Sequence, residues 1–183
     1  KDGAHILDIG GESTRPGSPA VPLEEEMRRV LPFVQAAVQF GVPISVDTYK
    51  AQVMQAVLDA GADIINDVWA LRQSGAQSVV ANHPQCGVVL MHMHKTPQDM
   101  QQTPMQGDAV AQVQNFLAQQ TQALVALGVE RQRIVWDYGI GFGKTVAQNF
   151  ALLAHQAALT RQGFALLAGW SRKSSLGQVT NLS

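Results

Sequence analysis

The chain has 183 residues, 46% of them hydrophobic and 15% charged, with a formal net charge of −1. That length suits one domain, spanning residues 1–183, with a sizeable core, and the composition excludes disordered and fibrous classes. Near-neutral charge without a basic stripe argues against nucleic acid and anionic membrane as partners, so small molecules are the expected ligands.

The single cysteine, Cys86, has no internal disulfide partner, which points to a reducing, cytoplasmic compartment. No run is apolar enough over a bilayer's width, and no signal-peptide pattern is seen. The sequence opens at Lys1 rather than at methionine, and "KDGAHILDIG" reads as a helix tail entering a strand. We therefore expect it to begin within a domain.

Six short apolar runs follow in chain order: residues 6–9, 43–46, 64–68, 88–91, 134–136 and 166–168. They are continuous rather than alternating, as in strands of a parallel sheet buried on both faces. Helical patterns separate them. After the first run, Pro22 and Glu24 to Glu26 suit a first helical turn, and Pro32 predicts a kink or restart further on. After the second, Thr48 is placed to cap a helix with Val53, Met54, Val57 and Leu58 on one face, closed by Gly61. After the fourth, Asp108 opens a longer helix with Val110, Val113, Leu117, Leu124 and Leu127 inward, ended by Gly128.

Strands alternating with helices make one α/β domain. Polar residues gather where each apolar run stops: Asp8 and Glu12, Asp47, Asn66 and Asp67, His92, Asp137, and Ser171 to Lys173. A (β/α)8 TIM barrel and an open doubly wound sheet both place ligands at the C-terminal ends of their strands. Contributions from all six strands favour the barrel, in which those ends converge. Six strands do not close an eight-stranded barrel, whose usual length is ~250 residues. The expectation is about six βα units, with the first and last strands missing, and with two exposed sheet edges.

Several short motifs have competing interpretations. "DYGIGFGKT" resembles a Walker A loop, but Tyr138 stands where its first glycine belongs, so no phosphate cradle is expected there. "GGESTRPGS" is a mobile loop whose Arg15 suits an anion, or else a solvated surface loop. Asp47 alone could be a helix cap and Asn66 alone a loop tie. With Asp137 they form a set that suits a flat, nitrogen-rich ring, because a carboxylate accepts two parallel hydrogen bonds from an amidine-like edge. "MHMH" puts His92 and His94 on one strand face, as in metal hydrolases, but the other histidines are badly placed to complete a site. "GWSRKSS" brings Gly169, Ser171 and Lys173 to the last strand's end, where Lys173 would approach Asp47 and Asp137.

Taken in order, "DIGGESTRPGS", "SVDT-x-K", "IIND", "LMHM", "D-x-G-x-GFGK" and "SRKS" closely resemble dihydropteroate synthase, the folate-pathway transferase targeted by sulfonamides. The similarity runs over essentially the whole chain. It implies a (β/α)8 barrel that joins p-aminobenzoate to 6-hydroxymethyl-7,8-dihydropterin diphosphate, yielding 7,8-dihydropteroate and diphosphate. It implies catalytic roles for Asp47, Asp137 and Lys173. Asp47, Asn66 and Asp137 would hold the pterin, with Lys173 reaching its carbonyl or ring nitrogen. Thr14 and Arg15 belong to a loop that closes on the substrates. Phe142, Lys173 and the Pro16 region resemble the walls of the aminobenzoate site, with Gly169 and Ser171 nearby.

The resemblance also implies a homodimer, and Mg²⁺ arriving through the diphosphate and a first strand that this sequence lacks. No metal ligand is expected within the chain itself. A last strand with an Arg-x-His set is lacking too. Tyr138 replaces the family's usual proline, and strand alternation should turn its side chain toward the helix layer. Two alternatives stay open: a pterin-binding methyltransferase domain, which has no need of "GGESTRPGS" and "SRKS", and a binding-only, inactive fragment.

Overall fold

The computed structural model describes residues 3–15, 17–96, 99–100, 102–171 and 173–180. Six parallel strands stand in sequential order in one sheet: β1 (Leu7–Gly10), β2 (Ile44–Asp47), β3 (Ile64–Asp67), β4 (Gly87–Met91), β5 (Ile134–Asp137) and β6 (Ala165–Leu167). Helices fill the crossovers: α1 (Leu23–Ala37), α2 (Ala51–Asp59), α3 (Ala76–Asn82), α4 (Ala109–Ala126), α5 (Val146–Ala154) and α6 (Gln156–Thr160). A last helix, α7 (Ser174–Thr180), follows β6. Each strand pairs with its sequence neighbour, as in a (β/α)8 barrel, and β1 and β6 are the two ends of the arc.

Alternation along the strands divides the molecule into two layers. Ile44, Val46, Ile65, Val88, Leu90, Ile134 and Trp136 point outward and are buried against the helices. They meet Val30 and Val34 of α1, Val53, Met54 and Val57 of α2, and Val113, Leu117 and Leu124 of α4. Each such aliphatic side chain stabilises by about 1.5–3 kcal/mol, so this outer layer carries most of the folding energy. Trp136 joins three elements: its indole N–H donates to Thr121 Oγ1 on α4 at 2.9 Å, and its ring stacks on Phe164 before β6 at 4.6 Å.

Helix ends follow the chemistry read from the sequence, with corrections. Asp108 accepts from the N–H groups of Val110 and Ala111, as a capping aspartate should. Gly61 and Gly128 close α2 and α4 at φ +104° and +88°, each inside the paired bonds of a Schellman motif. Leu127, expected inward, is 50% exposed, because the helix ends before it and the chain turns away. Thr48 is not the cap of α2, whose N-cap is Lys50. The Thr48 hydroxyl donates instead to buried Glu26 at 2.6 Å. Nor does α1 restart at Pro32; it runs through, since Pro32 lies on the exposed face.

Candidate active site

The inner sheet face and the loops above it enclose a cavity of about 430 Å³. Its floor and walls come from the inward residues of every strand: Asp8 of β1, Ser45 and Asp47 of β2, Ile64 and Asn66 of β3, Val89 and Met91 of β4, Asp137 of β5 and Leu167 of β6. Parallel register sets Asp47 beside Asn66 and Gly10, so two polar ends stand side by side on neighbouring strands. Thr14, Phe142, Gly169 and Lys173 close the space from the loops.

Thus Thr14, Asp47, Asn66, Asp137, Phe142, Gly169 and Lys173 share one cavity. Arg15 and Ser171 are exposed and do not line it. Pro16 and the Asn181–Leu182–Ser183 stretch lie outside the described residues. Two other strand-end residues expected near the cavity point the other way. β4 ends at Met91, so His92 turns outward, edge-on to Phe116 of α4 at 5.1 Å. Burial and nearby Lys144 push its pKa down to about 2, which keeps it neutral. Asp67 also faces outward and accepts from the N–H groups of Trp69 (2.7 Å) and Leu71 (2.8 Å). Those bonds hold Ala70 and Leu71 at positive φ. Tyr138 is fully buried in the helix layer beside Trp170, as alternation required.

Phe142 reaches the cavity through the turn that follows β5. Gly139, Gly141 and Gly143 all take positive φ there, at +63°, +81° and +71°. A Cβ at Gly139 would lie 2.0 Å from the His92 carbonyl oxygen, and one at Gly143 would lie 2.7 Å from His94 Cβ. Glycine is therefore required twice over, by conformation and by space. The turn folds back over β4, with the Gly139 and Gly141 N–H groups taken by Asp137 and Asn149, and it seats the Phe142 ring 4.3 Å from Lys173 Nζ.

Electrostatics separate the two inward aspartates. Burial pushes the Asp47 carboxyl up to about 8, and the carboxylates of Asp8, Asp67, Glu26 and Glu12 push the same way. Burial also raises Asp137, but only to about 6. The Gly139 N–H, donating to its Oδ1 at 2.7 Å, and the charges of Lys144 and Lys173 oppose the rise. Lys173 is drawn below the usual lysine range by burial, against the pull of Asp137 and Asp47.

Three supporting residues have no signal in hydrophobic periodicity. Lys50 bridges Glu12 (2.5 Å) and Glu26, tying the root of the residue 13–20 loop to α1 and β2. Glu12 also accepts from Val21 N (2.9 Å) and Tyr49 Oη (2.7 Å), so the loop's two ends meet at one carboxylate. Buried Asn149 accepts from Gly141 N (3.0 Å) and donates to Ser175 Oγ (2.9 Å), joining the glycine turn to α7. Lys144 is 4% exposed and donates to the carbonyls of His92 (3.1 Å), Gly139 (2.8 Å) and Phe142 (3.3 Å). "SVDT-x-K" and "GFGK" contain the two lysines, while nothing local marks Asn149.

Among the described residues, no group of three or more His, Cys, Asp or Glu is placed to hold a metal ion. Nor, among those residues, is any helix long and apolar enough to cross a membrane.

A family model described as "Pterin binding enzyme" matches residues 1–183. The chain belongs to the pterin binding enzyme family. It is 45% identical over 184 residues to a dihydropteroate synthase of Neisseria meningitidis, covering 98% of this chain and 65% of that protein. Its fold matches the Burkholderia cenocepacia dihydropteroate synthase complexed with 7,8-dihydropteroate, at a TM-score of 0.91 and 50% identity over 99% of this chain and 67% of that one. A Yersinia pestis dihydropteroate synthase with a sulfonamide drug complex matches at a TM-score of 0.94 and 43% identity, over 98% of this chain and 65% of that one. The chain thus spans about two-thirds of the length of the relatives it matches.

Proposed function

We propose that this protein is a dihydropteroate synthase, a transferase joining p-aminobenzoate to 6-hydroxymethyl-7,8-dihydropterin diphosphate. The observation that carries this is the inner-face constellation: Asp47, Asn66 and Asp137 around one cavity, with Lys173 and Phe142 forming an adjoining cationic and aromatic wall. The two carboxylates and the amide match the donor-rich edge of a pterin. Solved relatives in complex with 7,8-dihydropteroate and with a sulfonamide drug support the same assignment.

In this scheme the bond from the pterin methylene carbon to the diphosphate oxygen breaks, and the electron pair leaves with diphosphate. Positive charge develops on the methylene and is delocalised into the ring. Asp47 and Asp137, already fixed beside the ring, stabilise that charge without reorganising. The neutral amine of p-aminobenzoate attacks the methylene carbon, forms the new C–N bond and then gives up a proton to solvent. Lys173 lays its alkyl stem along the ring and turns its ammonium to a polar edge, while Phe142, in contact with that ammonium, supplies the adjoining apolar wall. Thr14 and Arg15 lie on the loop that closes over both substrates. We place Mg²⁺ on the incoming diphosphate rather than on these residues, and propose a homodimer working in the cytoplasm.

The test is a coupled diphosphate-release assay on the full-length protein. Release that depends on p-aminobenzoate is the expected result. Release independent of it, or pterin binding without turnover, would reduce the protein to a pterin binder. Sulfonamide titration checks the second pocket: binding should be weak alone and tight once pterin and diphosphate are present. Phe142→Ala should weaken that second binding far more than it weakens pterin binding.

A further inference from the structure

We propose that Lys144 is a positioning residue for the ring-binding site, setting where the Phe142 ring and the Asp137 carboxylate stand although it contacts neither substrate. It rests on the pterin-site reading above. The side chain is buried, and its Nζ meets three backbone carbonyls from two strand ends: His92 after β4, and Gly139 and Phe142 after β5. An ammonium has three N–H donors, so three acceptors satisfy it completely. A neutral amine, with two donors, would leave one carbonyl facing a lone pair.

Two of the three acceptors bracket the residues that matter. The Gly139 N–H donates to Asp137, and the Phe142 carbonyl belongs to the residue whose ring forms the aromatic wall. The third lies just past β4, where the His92 N–H donates to the Asp137 carbonyl at 2.9 Å. The ammonium therefore clamps the glycine turn onto the neighbouring strand. The three positive-φ glycines bring no side chains to pin the turn, so its hold rests on buried Ile140 and Phe142, on Asn149 at Gly141, and on this clamp.

Charge adds a second effect. Asp137 faces Lys144 and Lys173, while Lys144 faces Asp137, Lys173 and the neutral ring of His92, with His94 beyond. Burial pulls Lys144 down to about 7, opposed by Asp137. Near neutral pH its charge helps to keep Asp137 ionised and able to accept paired hydrogen bonds.

The experiment compares wild type with Lys144→Gln, which keeps two N–H donors, and Lys144→Met, which keeps none. Carbon-13 NMR of labelled aspartate follows the Asp137 carboxyl with no ligand present. Its midpoint should move upward from about 6 in both variants. Calorimetry with 6-hydroxymethylpterin should show affinity reduced by roughly tenfold or more, and more in Met than in Gln, since charged hydrogen bonds are being lost. Aminoethylation of Lys144→Cys, in a Cys86→Ser background, should restore both readouts.

A folded Lys144→Met chain with an unmoved Asp137 midpoint and unchanged pterin affinity would overturn the proposal. If the variants do not fold, nitrogen-15 NMR of the wild-type lysines decides. A protected Lys144 ammonium resonance below its midpoint, lost together with pterin affinity as pH rises through that midpoint, supports the role. No such resonance, or pterin affinity unmoved by its loss, overturns it. Wild type failing to bind 6-hydroxymethylpterin would instead overturn the proposed function, while the ligand-free Asp137 titration still decides the role of Lys144.

Discussion

Asp47 and Asp137 occupy equivalent places, each the last residue of its strand, each turned into the same cavity. Yet the β2 end is crowded with acids and the β5 end with lysines. Around Asp47 stand Asp8, Asp67, Glu26 and Glu12, while Asp137 has Lys144, Lys173 and a backbone N–H. Burial raises both carboxyls, but to about 8 in the first and about 6 in the second. Near neutrality one is mostly protonated and the other mostly ionised. The same strand-end geometry thus yields a proton-bearing group and a charge acceptor, because burial raises both and the Gly139 N–H and the lysines oppose it only at Asp137. A ring with a donor edge would draw Asp47 into its ionised form and release a proton on binding.

A large effect near neutral pH should come from removing a cation that bridges the acidic end. Lys50 is shared by Glu12 and Glu26, and the Glu26 side chain is 1% exposed. Lys50→Met leaves two carboxylates without their partner and should cost about 3–5 kcal/mol, as breaking a buried ion pair does. Urea denaturation measures it. A cost below about 1 kcal/mol, the range of surface pairs, would show that the acidic end holds itself.

Next in size is the partner site. Asp137→Asn keeps the shape but turns one acceptor into a donor that faces donors. Pterin binding should weaken by about 2–4 kcal/mol, from lost charged hydrogen bonds plus a buried mismatch. Unchanged affinity by calorimetry would remove Asp137 from the pterin site and break the comparison at its acceptor end.

An effect that appears only as pH rises belongs to Asp47. Its folded value of about 8 lies above the ordinary 3.8, so between those values the folded protein binds more protons than the unfolded chain. Stability from this group is therefore intact at low pH and is lost as pH rises from about 4 to about 8. Asp47→Asn removes the loss. Its urea midpoint should exceed that of wild type at pH 8 and show no such advantage at pH 3.5. Parallel curves would mean that Asp47 is ionised in the folded protein and that the two ends are electrostatically alike.

The smallest effect sharpens the comparison from outside. Glu25 pairs with Arg28 and Arg29 at 2.8 and 2.6 Å on the open face of α1. Glu25→Ala should leave the melting temperature unchanged within error, because water screens exposed pairs. A clear drop would mean that charge pairing counts equally on the surface and at the strand ends.

The sequence by itself determined the six strands, to within about a residue or two at each end, and the parallel α/β class. Continuous apolar runs and glycine-closed helices are local signals that survive folding unchanged. It also determined which strand-end residues face inward in most cases, since alternation follows from backbone geometry alone. Tyr138 turned outward on that argument, and Asp47, Asn66 and Asp137 turned inward.

Tertiary structure decided what alternation could not reach. His92, one residue past β4, turns outward as Tyr138 does past β5, but that its ring would meet Phe116 depended on where α4 packs. Thr48 had a cap's chemistry but met the carboxylate of Glu26, a partner 22 residues away. The charge states of Asp47 and Asp137 depend on lysines and carboxylates that come together only when separate crossovers converge. Lys144 shows the same limit most plainly. In sequence it is one more lysine after a glycine, and its three carbonyl partners exist only once β4 and β5 lie side by side.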